Sequence, residues 1–572
     1  MEQRFDAVIV GSGFGGSVMA YRLARAGKRV CLLERGKPYP PGSFSRTPLE
    51  LNNNFWDPSE EHYGLFNIWS FRGMAAVVSA GLGGGSLIYA NVLIRKDERW
   101  FADSLMPGGG TWPITRAILD PHYDAVEQVL RPSAYPIQYQ RDNKTAAMRA
   151  AARKLSIPET TGDGNPSEPQ WYLPHLAVTF NVEGEAPLPG RVFDPGENYH
   201  QAPRETCRLC GECDVGCNYG SKNTLDYNYI TLAKRAGAEI RTLTEVKSFA
   251  PEPAGGYRIS CVKHDIAQKT VPGVLPVGRS YEIIADKLIL SAGTLGSTYL
   301  LLKMNALGGF DRISAALGTR FSGNGDLLMF ATSCMDKDRN PVRMNASRAP
   351  VITSTFRFPD TQDNPNEGRG FYLQDAGYPL ALDYLWELLD RNILSRAFRF
   401  ARGFIQTWIT GNARGEIDRQ LGDLIGEGTL SSTSMPLLGM GRDVPDGQMT
   451  TRIDPKTGVP LLQLAWNDAR SRGYLKRANA AGRQVARALG GRYSLNPLTW
   501  LFNNLITVHP LGGCPMGHDV SEGVVDSYGR VFNYPGLYVA DGSIMPGPVG
   551  ANPSFTIAAL SDRIADAVLN DP

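Results

Sequence analysis

A chain of 572 residues and 62.5 kDa exceeds what one hydrophobic core usually serves, so two domains or one large domain with a cap are expected. Hydrophobic residues at 42% and charged residues at 20% exclude wholesale disorder, while 62 glycines and 39 prolines imply many tight turns and close approaches of backbone, often to a cofactor. The 59 basic residues nearly balance the 57 acidic ones, leaving a net charge of +2, which excludes a protein whose main work is to hold nucleic acid phosphates.

Met1 to Asp6 runs directly into the apolar strand Ala7 to Val10. That leaves no room for a secretory signal, and a cytoplasmic location is expected. Residues 5–36 read FDAVIVGSGFGGSVMAYRLARAGKRVCLLERG: strand, glycine turn, helix, and a second strand ending at Glu34. This is a dinucleotide-binding βαβ pattern. Gly11 permits the turn, Gly13 lets backbone approach a pyrophosphate, and Gly16 lets the helix lie close to the strand, with Phe14 and Gly15 in the same loop. The helix N-terminus offers free N–H groups and the positive end of its dipole to the phosphates. Glu34 stands where a carboxylate accepts hydrogen bonds from an adenosine ribose, and it would repel a ribose phosphate, which disfavours NADP. The motif alone does not separate FAD from NAD.

Residues 162–203 are rich in glycine, proline and polar residues and read as an extended loop. The run CRLCGECDVGC then places Cys207, Cys210, Cys213 and Cys217 at ferredoxin-like spacing. Three readings stay open. An iron–sulfur cluster would give electrons an exit, a zinc ion would staple a loop, and plain thiols would need neither. Asn218 follows the last cysteine where the ferredoxin run has proline. Cys31, Cys261, Cys334 and Cys514 read as isolated buried thiols.

Residues 379–410 carry apolar residues at helical spacing, with acids early and arginines late. They predict a long amphipathic helix or a helix pair, packed over the second domain or serving as a greasy lid or basic membrane-facing surface. Its most apolar stretch, Ile393 to Ile409, is broken by Arg396, Arg399 and Arg402. No transmembrane span is therefore expected.

His509 is one of seven histidines. It stands in VHPLGGCPMG, where Pro510 and the glycines make a rigid turn, and an imidazole there can act as a base or donate to a developing alkoxide. His518 reads as a structural or surface residue. Residues 536–566 predict a strand from Leu537 to Ala540, the acid Asp541 followed by Gly542, a glycine and proline turn, and a helix. Ile557, Ala558, Leu560, Ile564 and Ala565 supply its inward stripe. Asn552 reads as the N-cap and Pro553 as a first-turn residue. The helix dipole would favour an anionic reduced flavin lying before Asn552.

The segments GSGFGGS at 11–17, GLGGGSLIYAN at 81–91, LILSAGTLGS at 288–297, HPLGGCPMG at 509–517 and DGSIMPGPVGANP at 541–553 together resemble the GMC flavin oxidoreductases, most of all their bacterial cholesterol-oxidase-like branch. The resemblance implies an α/β fold with a discontinuous Rossmann-like FAD-binding domain, residues 1–135, 205–330 and 495–572. It also implies an α+β substrate-binding domain, residues 136–204 and 331–494, on a mainly antiparallel sheet. It implies FAD along Gly11, Gly13, Phe14, Gly15, Gly16 and Glu34, with Gly83, Gly84, Gly85, Ser86 and Asn91 beside the flavin. Asp541 and Gly542 would lie near the ribityl chain and pyrophosphate, and Asn552 at the active end of the ring, paired with His509 as the catalytic residues. Ile88, Tyr89, Ala90 and Asn91 depart from the asparagine and glycine common in the family at that point, and no motif supplies the glutamate with which some cholesterol oxidases move a double bond.

The implied function is FAD-dependent oxidation of a hydrophobic alcohol, cyclic or steroid-like, with hydride transfer to flavin N5 and oxygen, a quinone or a redox protein as acceptor. One rival is a long-chain alcohol dehydrogenase that relays electrons through a cysteine-bound iron–sulfur cluster. The other is a redox-silent flavoprotein of the same fold. Peripheral contact with a membrane fits the apolar substrate, and no nucleic acid partner is expected.

Overall fold

A computed structural model of the chain describes residues 3–47, 50, 53–106, 110–141, 143–162, 167–193, 203–266, 278–361, 368–380, 382–383, 429–495 and 505–571. The helix expected at 379–410 lies almost wholly outside the described residues.

The chain opens with the predicted βαβ unit: strand β1 (Gln3–Val10), helix α1 (Phe14–Arg25) and strand β2 (Val30–Leu33). Ala7 to Val10 and all of β2 are buried, as strands covered by helices on both faces of a parallel sheet must be. Arg22 and Arg25 close the last turn of α1, opposite the negative end of its dipole.

Among the described residues, the first sheet has seven strands. Glu239–Arg241, β2 and β1 run parallel to one another, and β1 runs parallel to the long strand Arg279–Leu290. That long strand divides its far edge. Arg279 to Ala285 pair antiparallel with Tyr257–Lys263, which pairs in turn with Thr244–Pro251. Leu288 to Leu290 pair parallel with Leu537–Val539. The same residues that meet the last strand on one side meet Val8 to Val10 on the other. The two ends of the chain therefore close onto one central strand.

Helix α1 packs against the C-terminal helix Ser554–Asn570. Glycine is required at that crossing, because a Cβ on Gly15 would lie 1.6 Å from the Ala540 carbonyl oxygen. Arg22 reaches across to Asp562 and Asp566. Ala558, Leu560, Ile564 and Ala565 are fully buried, as their spacing predicts, while Ile557 is only half-buried.

The second sheet has six strands, all antiparallel, in the order Arg492–Leu495, Leu327–Thr332, Met435–Gly441, Phe371–Asp375, Thr355–Phe358 and Gln170–Tyr172. The last of these lies inside the stretch read as a loop. Burial of Trp171 anchors it as an edge strand. Helix Arg472–Ala488 covers one face with Tyr474, Ala478, Ala481 and Val485, a spacing of three to four that makes one stripe. Burying each large apolar side chain there contributes roughly 1.5–3 kcal/mol. The fold is thus α/β with a Rossmann-like first unit and a separate antiparallel sheet. Among the described residues no helix is long and apolar enough to cross a membrane.

Candidate active site

The glycine turn after β1 is built to leave space. Gly11 has φ +100, and a Cβ there would meet Ser291 O at 2.3 Å, so only glycine fits this turn. Gly13 caps α1 without a side chain, and a Cβ placed on it meets nothing within 4 Å. Gly85 is equally open, while a Cβ on Gly84 would lie 2.6 Å from Gly13 Cα. The run Gly83 to Gly85 therefore lies directly on the loop that caps α1. Phe14, at the start of that helix, meets Tyr89 edge-on with ring centroids 5.4 Å apart.

Ser12 locks this arrangement. Its hydroxyl donates to Glu34 Oε2 at 2.6 Å, its N–H to the same oxygen at 3.1 Å, and its Oγ accepts from Gly83 N at 2.9 Å. Gly36 N donates to Glu34 Oε1 at 2.8 Å. Ser86 is buried, donating to Gly83 O at 2.7 Å and accepting from Leu225 N at 3.0 Å. Asn91, with φ +69, is fully buried, and neither its amide nitrogen nor its amide oxygen has a partner among the described residues. An orphaned buried amide costs about 1–3 kcal/mol, and a polar ligand alongside relieves it. Uncapped helix N–H groups beside open space, a positioned carboxylate and this unsatisfied amide fit the dinucleotide expected from the sequence.

At the other end of the chain Asp541 has both oxygens engaged by protein. Ser543 donates to Oδ1 through N at 2.9 Å and Oγ at 2.6 Å, while Gly293 N and Ser297 Oγ donate to Oδ2 at 2.9 Å and 2.5 Å. Burial pushes its carboxyl above the ordinary carboxylate range, against the pull of these donors. It clamps two helix starts together. Gly542 O accepts from Gly512 N at 3.0 Å, tying in the segment that carries His509.

Asn552 does not cap the C-terminal helix. The helix begins one residue beyond Pro553, which occupies the cap position without a side-chain bond. Freed from that role, Asn552 accepts a bond on Oδ1 from Gln374 Nε2 at 3.1 Å, so the second sheet sets its orientation. The loop before it is held by Asn324, whose Nδ2 donates to Ala551 O and whose Oδ1 accepts from Gly550 N, each at 2.8 Å.

His509 is oriented by Asp326, with Nδ1 2.7 Å from Oδ1. Oδ2 of the same carboxylate accepts from Thr507 Oγ1 at 2.9 Å, Val508 N at 2.9 Å and His509 N at 3.2 Å. Asn324 and Asp326 belong to one turn, 322–326, in which Asn324 has φ +53 and Gly325 φ +66. A single turn thus holds the histidine segment with one residue and the asparagine loop with another. Sequence reasoning missed Asp326, Asn324 and Gln374. The only signal was the string GNGD at 323–326, which marks a turn but not its partners.

The cysteine run forms a cavity wall. Cys207, Cys210, Cys213 and Cys217 line one cavity with Lys222, Tyr219 and Pro350. All eight cysteines are free thiols, and among the described residues no group of three or more His, Cys, Asp or Glu side chains is arranged to hold a metal ion. The metal role expected for Cys207, Cys210, Cys213 and Cys217 therefore finds no support in the arrangement. Burial pushes the Cys210 thiol up to about 12. The nearby Lys222 ammonium donates to the carbonyls of Leu87 at 3.0 Å and Cys213 at 2.7 Å, and so staples this loop to the glycine run.

Comparison with known proteins bears on the same segments. The family profile described as GMC oxidoreductase matches residues 444–561, and that of the NAD(P)-binding Rossmann-like domain matches residues 9–47. The chain is 31% identical to a cholesterol oxidase of Mycobacterium tuberculosis over 585 aligned positions, covering 99% of this chain and 91% of that protein. It is 27% identical to a cholesterol oxidase of Acinetobacter baumannii, covering 98% and 93%. It is 22% identical to a long-chain-alcohol oxidase of Arabidopsis thaliana, covering 99% and 68%.

Proposed function

The chain belongs to the GMC oxidoreductases, and from that membership we propose that it is an FAD-dependent enzyme oxidising a hydrophobic, cyclic or steroid-like alcohol to the ketone or aldehyde. In this reading segments 1–135, 205–330 and 495–572 bind FAD, and segments 136–204 and 331–494 bind the alcohol. When bound, FAD supplies the hydride acceptor at N5. Gly13 and the first turn of α1 receive the pyrophosphate, Glu34 the ribose, and Gly83 to Ser86 with Asn91 border the flavin.

His509 acts at the alcohol oxygen and takes or shares its proton. Asn552, held by Gln374, presents its amide N–H groups to the same oxygen, steadying charge that develops there. Gln374 and Asn324 exclude rotation of the amide and drift of its loop. The observation that carries the reading is the turn 322–326, whose Asn324 and Asp326 fasten the asparagine loop and the histidine together. The test is anaerobic bleaching of the flavin by sterols and by fatty alcohols. Bleaching by sterols supports the steroid-like substrate, bleaching by fatty alcohols alone favours a long-chain alcohol, and bleaching by neither favours a redox-silent flavoprotein.

A further inference from the structure

We infer that Asp326 decides which role His509 plays: it locks the imidazole in the tautomer that carries its proton on Nδ1, leaving Nε2 as the proton acceptor for the substrate hydroxyl. The inference deepens the reading above and rests on His509 facing the alcohol.

A carboxylate has lone pairs and no hydrogen to give, so the 2.7 Å contact between Asp326 Oδ1 and His509 Nδ1 requires the hydrogen on the ring. A neutral imidazole carries one N–H. With that hydrogen committed to Nδ1, Nε2 holds a lone pair. The proton then has a place to go: the substrate O–H bond would break, its proton would bond to Nε2, and the electron pair left on oxygen would form the carbonyl as the adjacent carbon gave up its hydride, for which bound FAD would be the acceptor.

The surroundings of Asp326 make the claim sharp. Two backbone N–H groups, from Val508 and His509, converge on Oδ2 together with the Thr507 hydroxyl. Backbone donors cannot reverse. An asparagine at this position must therefore place its amide oxygen where Oδ2 stands, because an NH2 group there would face two fixed donors. Its NH2 then falls in the place of Oδ1 and donates to Nδ1. The ring is driven into the opposite tautomer, with its proton on Nε2, and can only donate. Asp326→Asn thus keeps nearly the same shape and inverts the chemistry.

The experiment is 15N NMR of histidine-labelled holoenzyme at alkaline pH, with the ring neutral, read beside anaerobic flavin reduction by a hydrophobic alcohol. In the wild type the His509 shifts are expected to place the hydrogen on Nδ1. In Asp326→Asn they should place it on Nε2, and flavin reduction should slow by about 10²-fold or more, within the range set by loss of a general base or of the correct tautomer. A wild-type ring protonated on Nε2 overturns the inference even if the variant does not fold. So does a folded Asp326→Asn that keeps the Nδ1 tautomer or reduces its flavin at the wild-type rate. A different result would sink the underlying reading instead: His509→Ala reducing its flavin at the wild-type rate.

Discussion

At the scale of single residues, the site is a set of fixed donors and acceptors, and removing one should be felt in the chemistry before it is felt in stability. Asn552→Ala takes away the amide proposed to face the substrate oxygen, and we expect flavin reduction to fall by about 10²-fold, as for loss of one preorganised donor, with flavin still bound. Stopped-flow reduction checks this, and an unchanged rate removes Asn552 from the proposed machinery. A second residue-scale expectation concerns Glu245, away from the site. Burial alone would raise its carboxyl, but the His264 imidazole and the Lys247 ammonium pull it from the ordinary 4.5 down to about 2. A carboxylate held below its unfolded value stabilises the fold above that value and loses the contribution as pH falls through the folded one. Glu245→Gln should therefore cost about 3 kcal/mol at neutral pH, and the gap in melting temperature should narrow below about pH 4.5. A gap that stays constant with pH would contradict the assignment. Much at this scale was legible: His509 and Asn552 stand in short rigid motifs. Their partners were not. Asp326 and Gln374 come from strands and turns far along the chain, and nothing local to an aspartate after GNG says which side chain it will meet.

At the scale of elements, the glycines of α1 divide into two kinds that the sequence pattern does not distinguish. Gly15 faces a carbonyl at contact distance, whereas Gly13 faces open space. Gly15→Ala should destabilise the fold or abolish expression, because backbone must move to admit the methyl group. Gly13→Ala should fold with a near wild-type melting temperature when stripped of cofactor, and should bind FAD weakly, since its methyl group enters the space where the pyrophosphate is proposed to lie. Flavin content after gel filtration separates the two, and full flavin occupancy in Gly13→Ala would refute that placement. The βαβ unit was readable because strand, turn and helix follow within one short stretch. The start of the last helix was misread for a physical reason. Asn-Pro is a good cap signal on its own, but here the asparagine side chain is drawn to Gln374 of the second sheet, a tertiary contact that outweighs the local preference. For the cysteine run, spacing gives the order of thiols along the chain, not whether they converge on a common ion.

At the scale of the whole molecule, both halves of the proposed site depend on a closure that spans the chain. The strand Arg279–Leu290 takes β1 on one side and Leu537–Val539 on the other, so the loop that caps α1 and the loop that ends at Asn552 leave the same edge of one sheet. Ligands bind at that edge in open parallel sheets, outside the carboxyl ends of the strands. The order of motifs along the chain carried this closure only through family resemblance, since no local pattern states that the first strand and one more than 500 residues later are near neighbours. Catalysis as proposed requires that the histidine delivered by the last segment work on a flavin cradled by the first. The direct measurement is the rate of anaerobic flavin bleaching by a hydrophobic alcohol in His509→Ala against the wild type. We expect a yellow variant with its flavin in place and a rate lower by about 10²- to 10⁴-fold; equal rates in the two proteins would contradict a role for His509 in the oxidation.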